Sequence, residues 1–166
     1  MNVGDIIKLL NLVPLPGEGG YYCETYRSSV KIACYALPER YSDDKDLCTA
    51  IYYLLTPETC SVMHRLPSDE IYHFYLGDPV EMLILKEDDT SENIVLGNEI
   101  FNGQKLQYTV PAKCYQGSSL KEGGKFALLG TTVSPGFDFP DFESGNRTML
   151  IERFPQLAER IIRLTC

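Results

Sequence analysis

Between residues 21 and 140 the chain is written as short runs of β-branched and aromatic residues cut apart by turn formers. Runs so short bury their apolar side only by pairing into sheets that face one another or close on themselves. The expected strands cover 21–26, 48–55, 70–76, 80–85, 94–96, 105–110 and 125–133, broken at Gly77-Asp78-Pro79, Gly97-Asn98, Asn102-Gly103, Gly117-Ser118-Ser119 and Gly123-Gly124. The acidic run 87–92 reads as a solvated hairpin loop. Helical spacing occurs only at the ends. Val3, Ile6, Ile7 and Leu10, widened by Leu9, make one stripe over 3–12, closed by Pro14 and Pro16. Met149, Leu150, Phe154, Leu157, Ile161 and Leu164 make another over 147–164, interrupted near Pro155. The fold class is therefore all-β, a sandwich or a barrel, with short terminal helices.

With 166 residues and no internal repeat, the expectation is one domain over 1–166. A net charge of −8 without a Lys/Arg cluster argues against a nucleic-acid surface, because a phosphate backbone needs a cationic footprint. No run approaches the roughly 20 apolar residues that span a bilayer, so no membrane partner is expected. The six cysteines stand at long, irregular intervals without a CxxC. Together with an N-terminus that lacks a basic-then-apolar leader, this leads to the expectation of free thiols in a reducing cytoplasm.

Strand parity singles out Glu70. In an extended run Glu70, Tyr72 and Phe74 share one face, and Ile71, His73 and Tyr75 the other. A carboxylate beside two aromatics suits a pocket with apolar walls and a few polar groups. Equally, Glu70 could face water with Ile71 and Tyr75 in the core, and parity alone does not choose. His64 stands before this strand, beyond Pro67, among Ser61, Arg65, Ser68 and Asp69.

The segment from His64 to Pro79 resembles the first cupin motif, in which a Glu precedes a Gly by six intervening residues, as Glu70 precedes Gly77. The second cupin motif carries Pro, Gly and His where this chain has Pro111, Lys113 and Gln116. If that turn requires a positive backbone angle, Lys113 carries strain. Three further stretches, Glu18 to Tyr22, Thr49 to Leu55 and Gly130 to Glu143, make the chain similar to the single-domain cupin type-five family. The resemblance implies a cupin double-stranded β-helix, a jelly-roll barrel enclosing a cavity, and a homodimer.

Many cupins hold a divalent metal through three His and one Glu. Here the matching positions leave at most His64, Glu70 and Gln116: one imidazole, one carboxylate and one neutral amide. That set lacks the charge and softness that hold zinc or iron tightly, so no metal cofactor is expected. The nearest metal-free precedent is acid–base chemistry of the nucleotide-sugar epimerase type. By that analogy His64 is the base, Asp69 or Glu70 its orienter, and Tyr72 or Tyr108 the acid. Ser61, Arg65, Tyr115, Gln116, Phe137 and Asp138 are the candidate contacts to a small polar organic, sugar-like ligand. The 137–143 segment reads either as a lining of the cavity mouth or as a plug with Asp141 in a turn. The alternatives are a non-catalytic small-ligand-binding protein and a metal-dependent oxygenase or lyase.

Overall fold

Residues 2–165 are described in the computed structural model. In chain order the elements are helix α1 (Val3–Leu9), strands β1 (Val13–Pro14), β2 (Tyr21–Arg27), β3 (Lys31–Ile32), β4 (Lys45–Asp46), β5 (Thr49–Leu55), β6 (Cys60–Arg65), β7 (Asp69–Gly77), β8 (Val80–Leu85), β9 (Ser91–Leu96), β10 (Gln107–Val110), β11 (Tyr115–Leu120), β12 (Ala127–Ser134) and β13 (Glu143–Ser144), then helices α2 (Arg147–Arg153) and α3 (Ala158–Arg163). One sheet runs β1-β2-β5-β12-β7-β10 and the facing sheet β13-β6-β11-β8-β9, while β3 and β4 form a small ribbon. The named strand pairs are antiparallel. The result is a jelly-roll barrel.

Parity along β7 resolves in favour of the inward Glu70. Glu70, Tyr72 and Phe74 are buried between the sheets, whereas Tyr75 is half exposed. Glu70 stands opposite Val133 on β12 and Val110 on β10. Toward the end where Leu55, Ala127 and Gly77 meet, Leu55, Phe74, Val80, Met82, Leu96 and Leu129 pack together. Each such side chain contributes about 1.5–3 kcal/mol through the apolar surface it removes from water. The opposite end, where Thr49, Val133 and Glu70 align, is left to the site.

Strand β8 is apolar on both faces because both are covered. Val80, Met82 and Ile84 point into the barrel, and Leu83 and Leu85 meet Leu150, Phe154, Ile161 and Leu164 of the C-terminal helices. Pro155 separates α2 from α3, as a residue without an N–H should. Met149 lies off this apolar face and is 38% exposed; it follows Asn146, whose side chain caps α2 by accepting from the Met149 N–H.

Several expectations need correction. Helix α1 stops at Leu9, ahead of the prolines, because Asn11 takes a left-handed φ of 52° and the Leu12 N–H bonds back to Ile7. Leu9 is exposed rather than part of the stripe. Six strands were not expected: the two-residue β1, β3, β4 and β13, and the longer β6 and β11. Gly117-Ser118-Ser119 is the buried middle of β11, not a turn. Gly117 is needed because a Cβ there would stand 2.7 Å from the sulfur of Met63. No disulfide joins the described cysteines, and Cys166 lies outside the described residues. Among the described residues no helix is long and apolar enough to cross a membrane.

Candidate functional site

The open end of the barrel holds a cavity of about 340 Å³. Its walls are Tyr22, Ile51, Leu66, Thr131, Val133 and Phe137, from β2, β5, the β6–β7 turn, β12 and the segment after it. Glu18 and Glu70 reach it from within, and Glu24, Arg27, Asp138 and Phe139 stand at its more exposed rim.

Glu70 is the buried anchor. The amide Nε2 of Gln116 donates to its Oε2 at 2.6 Å, and the Nε2 of His64 lies 3.9 Å from the same oxygen. The latter spacing exceeds a hydrogen bond but lies within Coulombic reach. The other ring nitrogen of His64, Nδ1, is 2.7 Å from the Val62 carbonyl oxygen and donates to it. The imidazole is 1% exposed and stacks on Phe142 with ring centroids 4.9 Å apart. Burial alone would lower its proton affinity, but the Glu18 charge and the adjoining Glu70 outweigh that and push it up to about 9. His64 is therefore a cation near neutral pH.

Glu18 is the residue that sequence reasoning passed over. It sits in the Gly17-Glu18-Gly19-Gly20 turn, whose three glycines all take positive φ. The turn is pinned against β6: the Val62 N–H donates to the Glu18 carbonyl at 2.9 Å, and the Ser61 hydroxyl donates to Glu18 Oε1 at 2.8 Å. Burial raises the Glu18 carboxyl, opposed in part by His64 and reinforced by Glu70. The turn chemistry was legible; the direction of its one long side chain was not.

Ser61 and His64 face inward although they are three residues apart. Gln116 pairs with His64 and Ser118 with Ser61, so β6 carries one residue more than β11 between those pairs. Such a bulge redirects side chains that plain alternation would send outward.

At the rim, the Arg27 Nη1 lies 2.7 Å from Asp46 and 3.2 Å from Asp138, and its Nη2 lies 2.8 Å from Glu24. Lys45, with 6% of its side chain exposed, bonds Asp141 at 2.7 Å and Asp138 at 3.3 Å. The 137–142 segment is thus tied to β2 and β4 by ion pairs. Phe137, Asp138 and Phe139 line the mouth, while the Asp141 carboxylate accepts from the Asp138 N–H and Phe142 covers His64.

The other candidate residues divide clearly. Tyr72 lies fully buried on the Glu70 face, and burial, then the charges of Glu70 and Glu18, hold its phenol well above the ordinary range. Tyr108 stands opposite Tyr72, but its hydroxyl is engaged by Glu92; burial and that bond push it up to about 12. Asp69 cannot orient His64, because it is exposed on the other face of β7 and accepts from the Ala112 N–H at 2.7 Å. Arg65 and Tyr115 point away from the cavity. The Arg65 guanidinium lies over the Tyr115 ring at 4.8 Å, and both side chains bond Glu143. His64 itself is not among the side chains lining the cavity, whereas Glu70 is.

The residues present do not fit a cupin metal. Gln116 turns its N–H, not its carbonyl, toward Glu70, which leaves one imidazole and one carboxylate of the expected set to face an ion. Among the described residues no three His, Cys, Asp or Glu side chains converge to hold one.

Residues 4–145 match the model of the family Cupin_5, described as Cupin superfamily (DUF985). The chain is similar to a hypothetical protein from Leishmania major, with 34% identity over 99% of both chains and a TM-score of 0.87. It is also similar to protein SO0799 from Shewanella oneidensis, with 32% identity over 100% of this chain and 98% of that one, and a TM-score of 0.87. The uncharacterized protein YML079W of Saccharomyces cerevisiae is 28% identical over 75% of this chain, and the match spans 66% of the yeast protein. Oxalate decarboxylase from Bacillus subtilis shares the fold, with a TM-score of 0.55 and 15% identity over 93% of this chain and 37% of that one.

Proposed function

This chain belongs to the Cupin_5 (DUF985) family of the cupin superfamily, and from that premise we propose that it binds a small polar organic molecule in its barrel and moves a proton on it, as an isomerase or epimerase does. One observation carries the reading: a buried carboxylate, Glu70, faces the cavity at the open end of the barrel while its other neighbours, Gln116 and His64, hold it in place.

The groups divide the work by environment. Glu70, aimed by the Gln116 amide, takes a proton from a carbon next to the ligand's carbonyl. Burial raises the Glu18 carboxyl; in its protonated form it donates to the carbonyl oxygen and so yields an enol, with Glu70 alone then holding the His64 charge. Return of the two protons completes the exchange. His64 acts through Glu70 and Glu18, as a fixed positive charge behind both. Mass spectrometry under native conditions identifies the molecule carried through purification. Incubating that molecule with the protein in deuterated water should place deuterium at the carbon beside its carbonyl, and Glu70→Gln should abolish the exchange. A bound molecule that takes up no deuterium would leave a binding protein without the chemistry. A second copy of the chain is the proposed partner; light scattering at micromolar concentration that gives only a monomer mass would remove it.

A further inference from the structure

We propose that the cavity selects a small organic cation, an ammonium group on a compact apolar body, over carboxylates and phosphate esters. The inference rests on the reading of the cavity as a ligand site and adds the charge of what enters it. The charged groups lining the cavity are Glu18, Glu24, Glu70 and Asp138 against Arg27, with His64 standing behind Glu70. With Glu24, Glu70 and Asp138 ionised, the balance is negative whatever the states of Glu18 and His64: even with His64 charged and Glu18 neutral, three carboxylates face two cations.

Neither cation is free to receive an anion. Arg27 is held by Glu24, Asp46 and Asp138 within 3.2 Å, and it also donates to the Phe137 carbonyl. His64 has one nitrogen bonded to the Val62 carbonyl and the other turned toward Glu70. An anion entering here would meet carboxylates without gaining a cation, in a space where water screens little. A cation meets those same carboxylates, and the aromatic side chains of Tyr22, Phe137 and Phe139 lie along the same wall. A bound dianion such as oxalate, or a nucleotide-sugar diphosphate, is disfavoured on the same ground.

Calorimetric titration of the full chain near neutral pH and at low salt, with benzylamine, benzyl alcohol and benzoate, separates shape from charge. Benzylamine should bind at least tenfold more tightly than benzoate, with benzyl alcohol between them. Glu70→Gln should cut that preference severalfold, and Glu24→Gln, at the exposed rim, gives the same reading if the buried substitution fails to fold. Benzoate binding as tightly as benzylamine overturns the charge preference while leaving a ligand cavity in place. Binding of none of the three removes the proposal, and the molecule carried through purification then judges the cavity separately.

Discussion

The Nε2 of His64 and the Oε2 of Glu70 lie 3.9 Å apart, with 1% and 8% of their side chains exposed. A buried imidazole by itself would be neutral. This one is surrounded on the cavity side by Glu70 and Glu18, and on the other by the ring of Phe142. The charge is therefore fixed by its neighbours, and the whole arrangement is read most directly through its titration.

The chain has two histidines, His64 and His73, which makes that titration resolvable by proton NMR of the imidazole rings. His64 should titrate near 9, while burial sets His73 below the ordinary value of 6.5. Glu18→Gln should bring His64 back toward 6.5. Two rings titrating together near that ordinary value would refute the buried pair.

The same shift fixes a sign for stability. His64 binds its proton more tightly when folded, so its contribution is complete below 6.5 and is lost as pH climbs through about 9. The melting temperature should fall across that window, and His64→Gln should flatten the decline. A melting temperature that rises between those values would contradict the assignment.

Gly19 holds the turn that presents Glu18. Its φ is +97°, and a Cβ there would collide with the Cys60 carbonyl oxygen. Gly19→Ala should destabilise the fold by about 2 kcal/mol or more, seen in the denaturant midpoint. An unchanged midpoint would mean the turn relaxes freely and does not aim Glu18.

Lys113 occupies the turn between β10 and β11 with a φ of 67°, the strain the motif comparison had anticipated for a non-glycine residue there. Lys113→Gly should stabilise by about 0.5–1 kcal/mol, because the left-handed penalty for an L side chain exceeds the entropy glycine adds. Loss of stability would show that the Lys113 side chain makes up for its backbone.

A chelator should leave the melting temperature unchanged, given an amide N–H facing Glu70 and an imidazolium beside it. A drop of several degrees, restored by a divalent ion, would reveal a ligand set other than these residues.

Strand β7 was readable because its alternation holds from Asp69 to Phe74, ahead of the irregularity at Tyr75, and Gly77-Asp78-Pro79 marks its end. Strands β6 and β11 were not, for a physical reason. They place Ser61, His64, Gln116 and Ser118 inside a polar end of the barrel, so their inward positions do not look apolar. The bulge in β6 further removes the period on which parity depends. Glu18 was hidden by its glycine neighbours, which announce a turn but not where its side chain goes. Tyr115 misled because it is aromatic and adjacent to Gln116; adjacency on a strand sends two side chains to opposite faces. Arg27 gave no signal at all, since its partners come from sequence positions as distant as Asp138.

The six residues from Phe137 to Phe142 touch the ligand space with one end and the His64 ring with the other. Whatever displaces Phe137 or Phe139 on its way in also pulls on Phe142, the aromatic cover over the imidazole. Occupancy and proton affinity are thereby joined through a strap of covalent chain. Asp141→Asn, which removes the Lys45 tether, should quicken exchange of the occupant and, by the same slackening, let solvent reach the histidine.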